Sequence, residues 1–83
     1  MAIPLFDTHA HLISDDWNRY KPRALAAGLP TPERPNYSVT VESLIEMMDA
    51  HHVEKACLVQ RGHVYGYDNS YIIDSAERHP DRL

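Results

Sequence analysis

The sequence predicts an α/β fold, and three observations carry that expectation. Two short apolar segments, Ile3 to Thr8 and Lys55 to Gln60, have the length and character of strands. Between and after them, Leu44, Met47, Met48 and His51, and then Tyr71, Ile72 and Ser75, recur at helical spacing. The resulting order is strand, helix, strand, helix, and two strands of one sheet joined through a helix run parallel with a right-handed crossover.

Taken in order, the first strand is expected near Pro4 to His9, with Pro4 at its start, where a strand tolerates the missing donor. The stretch from Ile13 to Tyr37 holds Pro22, Pro30, Pro32 and Pro35 and reads as a long irregular loop with one short helical turn around Arg23 to Ala27. Loops of that length inside a compact domain usually serve binding or act as lids. Thr40 can cap a first helix near Val41 to His51, whose first turn carries the favourable charge of Glu42. Met47 and Met48 read as core filler, and His51 and His52 as residues closing the helix rather than as metal ligands.

The second strand is expected near Ala56 to Gln60, apolar enough to be covered on both faces, with Cys57 a buried and inert thiol. A loop from Arg61 to Tyr67 follows. Asp68 can then cap a second helix near Asn69 to Arg78, with Tyr71, Ile72, Ser75 and either Ala76 or Ile73 facing inward, and Pro80 stopping it. His79 reads as an exposed helix-end residue.

At 83 residues the chain is at most one small domain or a piece of a larger one. Its 43% hydrophobic and 24% charged residues fit a soluble globular chain and exclude wholesale disorder. No apolar run approaches a bilayer's width, and Met1 to Phe6 lacks the basic segment of a secretory signal, so the expected location is cytoplasmic. A formal charge of −4, with eight basic residues scattered along the chain, argues against nucleic acid and anionic membrane as partners.

The chemistry concentrates at the end of the first strand. Asp7, His9 and His11 share one parity, so an extended chain projects all three from one face. Two imidazoles on one face can chelate one divalent ion such as zinc, with a position left open for water or substrate. Asp7 could then touch the metal or orient a histidine from outside the ligand set. Arg61, His63 and Tyr65, just past the second strand, are expected on the same rim, since parallel α/β folds build sites at the C-terminal ends of strands. An arginine there can grip a carboxylate through two hydrogen bonds, while histidine and tyrosine can donate to a carbonyl or carboxyl oxygen. Gly62 and Gly66 read as turn residues.

The segment Phe6-Asp7-Thr8-His9-Ala10-His11-Leu12 resembles the first-strand signature of the amidohydrolase superfamily. Later runs, among them Met48 to Val53, Cys57 to Gln60, Tyr65 to Tyr71 and Arg78 to Arg82, resemble its amidohydrolase-related branch, and Asp68-Asn69-Ser70-Tyr71 leans toward lactonases of the 2-pyrone-4,6-dicarboxylate type. The resemblance implies that residues 1–83 are the N-terminal βαβα portion of a TIM (β/α)8 barrel, an incomplete part of a single domain. It implies a hydrolase acting on a lactone or similar small carboxylate by water attack on a carbonyl. His9 and His11 would be the catalytic, metal-holding pair, the metal zinc or manganese, although some lactonases of this branch work without one. A metal-dependent, non-oxidative decarboxylase of the same superfamily is the alternative enzyme. From another class comes a small protein that binds a metal or a partner and catalyses nothing.

Such a barrel takes about 250 residues and draws catalytic groups from several strands. The 83-residue chain by itself is therefore expected to be inactive and to associate into homo-oligomers, aggregate or stay partly unfolded, with strand edges unpaired and one sheet face bare.

Overall fold

A computed structural model describes residues 5–83. Strand β1 (Leu5–Ala10) is followed by the long loop, helix α1 (Val41–Ala50), strand β2 (Val53–Leu58), a single-turn helix α2 (Gly62–Tyr65) and helix α3 (Ser70–Arg78). The two strands pair in parallel, as the helical crossover requires. The α/β fold class and the βαβα order are therefore realised, with α2 added. Ile3 and Pro4, expected in the first strand, lie outside the described residues.

The pairing is not regular. Between Asp7 and Ala10, β1 advances three residues while β2 advances two, from Ala56 to Leu58, so β1 carries one extra residue just before its end. A bulge of this kind re-aims the side chains around it.

Helix α1 begins where Thr40 was expected to cap it: the Thr40 hydroxyl accepts from the Ser43 amide at 3.2 Å. At the other end His51 is the C-cap and His52 takes the left-handed conformation, φ 58°, that lets the chain turn back into β2. The buried stripe is Val41, Leu44 and Met48, with Ile45 packed beside it. This corrects the expected face. Met47 and His51 are exposed, because the stripe centres one position earlier on the helix than the Leu44 to His51 pattern suggests.

Strand β2 also starts earlier than expected, and only Ala56 within it is fully buried. Cys57 is exposed, against the expectation of a buried thiol. The run is apolar, but among the described residues the helices cover a single face of the sheet, so alternate residues of β2 lie open. The outer edge of β2 is partly occupied. The Ala56 amide donates to the Arg82 carbonyl at 2.8 Å, and the Arg82 guanidinium reaches the Glu54 and Val53 carbonyls and the Asp49 carboxylate at 2.8, 3.0 and 2.9 Å. That modifies the expectation of bare edges.

Helix α3 buries Tyr71 and Ser75 and leaves Ile73 exposed. Its first turn is organised by Asp68, whose carboxylate accepts from the Ser70 amide at 3.0 Å and from the Ser70 hydroxyl. These bonds hold the Asp68 carboxyl below its usual pKa, with the nearby Arg23 cation adding to the effect. Tyr71 ties the helices together. Its hydroxyl accepts from the Val41 amide at 3.0 Å, which satisfies one of the donors that the start of α1 leaves without an intrahelical partner.

The long loop is closed at its base by an antiparallel bridge between Ile13 and Val39, with N–H to O distances of 2.9 and 2.8 Å. It is not loose. The Tyr65 hydroxyl accepts from the Ser14 amide at 2.8 Å, Trp17 stacks on Tyr65, and the Tyr20 hydroxyl donates to Asp74 at 2.7 Å. The expected helical turn near Arg23 to Ala27 is instead a turn in which the Leu29 amide donates to the Ala26 carbonyl.

Among the described residues, no helix is long and apolar enough to cross a membrane.

Candidate active site

His9 lies at the end of β1 and His11 just beyond it. Their Nε2 atoms are 3.0 Å apart, with the rings edge to face at 88°. His11 is oriented by the neighbouring strand, because its Nδ1 stands 2.9 Å from the Val59 carbonyl oxygen. A carbonyl only accepts, so Nδ1 carries the proton, and neutral His11 presents a bare Nε2 lone pair toward His9. His9 then donates its Nε2–H to that lone pair. Val59 is itself tied to the first strand through its amide, which donates to the Ala10 carbonyl at 2.8 Å.

The same geometry suits two corners of a metal's coordination sphere. With metal to nitrogen distances of about 2.0 to 2.1 Å, nitrogens 3.0 Å apart subtend roughly 95° at a shared ion. A third ligand is not at hand, since no group of three or more His, Cys, Asp or Glu capable of holding a metal occurs among the described residues. Asp7 does not join the pair: its carboxylate accepts from the His9 backbone amide at 3.0 Å rather than from an imidazole. The reason is the bulge, which interrupts the two-residue alternation on which the shared face of Asp7, His9 and His11 rested.

From the second strand's end, Val59, Gln60, Arg61, Gly62 and His63 complete a hollow of about 400 Å³ with His9, His11 and Leu25. The residues that line it include one arginine and three histidines and no carboxylate. Arg61 is half-buried, and among the described residues it forms no ion pair. An unpaired guanidinium in a concave site without acidic groups creates a field that favours an anion.

Of the six side chains expected around the site, His9, His11, Arg61 and His63 are brought to one hollow, and Asp7 stays apart from them. Tyr65 is not there either. The turn of α2 rotates it into the core, where it is 2% exposed, and burial pushes its phenol above the usual tyrosine pKa while the Ser14 amide works the other way. Gln60 and Leu25 join the site without having been singled out. The strand-end rule that pointed to Arg61 applies equally to Gln60, whereas nothing in the proline-rich sequence marks Leu25.

A second hollow, of about 390 Å³, lies between the loop, α1 and α3, and five carboxylates line it with Arg19 and Arg78. Its charges are partly matched internally, through Arg78 to Glu42 at 3.2 Å and Arg19 to Asp74 at 3.7 Å, which marks it as a solvated ionic surface.

No family model matches the chain, and no curated protein matches it. Among solved structures it is similar to a probable 2-pyrone-4,6-dicarboxylic acid hydrolase from Acinetobacter baumannii, crystallised with citric acid bound. The identity is 30% and the TM-score 0.72, over 98% of this chain and 27% of that one. This chain thus spans about a quarter of that protein's length, consistent with an N-terminal fragment.

Proposed function

We propose that this chain is the N-terminal part of an amidohydrolase-related hydrolase that opens a lactone, or a similar carbonyl bond of a small carboxylate, by attack of water. The observation that carries the reading is the His9 and His11 pair. Its two Nε2 atoms converge at 3.0 Å, and His11 is fixed by the Val59 carbonyl, in a hollow that also presents Arg61 and His63 and no acidic group. The similarity to a probable pyrone-dicarboxylate hydrolase supports the same reading, and the citric acid in that crystal supports a carboxylate ligand.

In this reading His9 and His11 hold a divalent cation, zinc or manganese, together with ligands from outside the described residues. A metal there supplies a more acidic water and polarises a carbonyl. The Val59 carbonyl keeps the His11 Nε2 bare, as a ligand must be. Arg61 grips a substrate carboxylate with two parallel hydrogen bonds, and His63, exposed at the rim, donates to a second oxygen. If the reaction runs without a metal, the pair has another use: His9, once it has taken up a second proton at Nδ1, can pass its Nε2 proton to the His11 Nε2 lone pair across 3.0 Å and return to a neutral imidazole. The enzyme's place is the cytoplasm.

The test is hydrolysis of 2-pyrone-4,6-dicarboxylate by the full-length polypeptide that carries these residues, with and without zinc or manganese. The double change His9→Ala and His11→Ala should abolish turnover while leaving the fold intact. Near-normal turnover in that variant would sink the proposal.

A further inference from the structure

The long loop contributes one side chain to the histidine hollow, and the attachment of that side chain is specific. Leu25 lines the hollow with His9, His11, Arg61 and His63. It also lines a neighbouring, mostly apolar hollow of about 250 Å³, formed with Arg23, Ala24, Leu29, Pro30 and Pro32. Gly62 and His63 border both spaces. Leu25, 41% exposed, thus stands with Gly62 and His63 on the boundary between the two spaces. It stands against Gly62, where even a methyl group would meet Leu25 Cδ2 at 3.5 Å.

Three contacts hold Leu25 in place, all of them between the residues just before it and the segment of α2 and its C-terminal flank. The Arg23 amide donates to the Val64 carbonyl at 2.9 Å. The Arg23 side chain faces Asp68 at 3.6 Å, an exposed pair that adds little energy but fixes direction. The third is the approach of Ala24 to Gly66. A Cβ at position 66 would lie 2.5 Å from the Ala24 carbonyl oxygen, and Gly66 also has φ +57°, so glycine is required twice over.

We propose that Leu25 is a specificity-determining residue, setting the size of the carboxylate that the histidine hollow admits, and that Arg23 and Gly66 are positioning residues acting through it. The inference rests on the carboxylate site assigned under the proposed function. Shortening Leu25 joins the two hollows and admits a bulkier anion. Displacing it through Gly66 has the same effect without altering any side chain of the site.

The experiment is calorimetric titration of the full-length polypeptide with two probes of similar charge, citrate and the bulkier aromatic trimesate. The unaltered protein should bind citrate and discriminate against trimesate by about tenfold, the low end of what one methylene changes in a hydrophobic pocket. Leu25→Ala should bring the two affinities together, Gly66→Ala should do the same, and Leu25→Met should keep the discrimination. Unchanged circular dichroism and melting temperature in Leu25→Ala separate this from unfolding. Arg61→Ala should weaken both probes alike. If Arg61→Ala weakens citrate but Leu25→Ala leaves the citrate to trimesate ratio unchanged, Leu25 has no such role and the carboxylate site stands. If citrate binds no better to the unaltered protein than to Arg61→Ala, the carboxylate site itself is wrong and the role of Leu25 falls with it.

Discussion

Replacing Tyr71 by Phe isolates one buried hydrogen bond between two helices that are 30 residues apart in sequence. The Tyr71 ring is 5% exposed and Val41 is fully buried. The change removes an acceptor and almost no volume. The ring's packing is kept, so no cavity cost of the large-to-small kind arises. What remains is the Val41 N–H at the start of α1, cut off from water and without a partner, which costs about 1 to 3 kcal/mol. In the full-length polypeptide, a barrel of about 250 residues, that corresponds to a fall in melting temperature of roughly 2 to 4 °C per kcal/mol. The phenol has a second signature. Desolvation raises the Tyr71 pKa above its unfolded value, with Val41 lowering it by a smaller amount. A group whose folded pKa is raised contributes stability that is complete below the unfolded value, about 10, and is lost as pH rises through the folded value. The Phe variant should therefore be less stable at neutral pH and show a shallower alkaline decline. The assay is urea unfolding by far-UV circular dichroism between pH 7 and 11, with mass in solution checked for both proteins. Tyr67→Phe, at 83% exposure, is the control and should stay within about 0.5 kcal/mol of the parent. A Tyr71→Phe loss no larger than that of the control would refute the reasoning.

Other outcomes follow from the same structure. His52→Gly relieves a left-handed residue that costs a side-chain-bearing position about 1 to 2 kcal/mol, against roughly 0.5 to 1 for glycine's greater entropy, so unfolding should shift to higher denaturant; a shift the other way contradicts the cap assignment. The Asp68 carboxyl titrates below its usual value because Ser70, and then Arg23, favour its charged form; its contribution is present above the unfolded pKa of about 3.9 and lost as pH falls through the folded value. Asp68→Asn should accordingly flatten the acid limb of a stability profile below about pH 4, and parallel acid limbs would count against it. Cys57 should react with a thiol reagent without denaturant in residues 1–83 alone, where that face of the sheet is open, and fall silent in the full-length polypeptide, where further strands and helices cover it; equal reactivity in both would count against the barrel.

Several features were legible in the residues because the interactions behind them are local. Helix α1 and its Thr40 cap depend on a 3.6-residue period and a contact three residues away, and α3 depends on Asp68 two residues before Ser70. The parallel order of the strands follows from the crossover's handedness and length. That His9 and His11 stand together follows from a separation of two residues at a strand's end, and Arg61 and His63 come with the end of the next strand.

Tertiary structure decided the rest, through contacts between residues far apart in the chain. The Val59 carbonyl that sets the His11 tautomer lies 48 residues from it, and the Ser14 amide that claims the Tyr65 hydroxyl lies 51 residues away. Periodicity within a segment carries no information about such partners. The bulge that separates Asp7 from the histidines exists only as a mismatch between two strands. Cys57 is exposed because an apolar run reports what a strand can bury, not which of its faces a helix reaches. Leu25 enters the site for a similar reason: a proline-rich loop has no period to read, and its path is set by where Val64, Gly66 and Asp68 receive it. The sequence by itself thus determined the local elements and the pairing of the two histidines, whose causes lie within a few residues. Which groups surround that pair was decided only when distant segments packed, since the free energy of those contacts belongs to both partners at once.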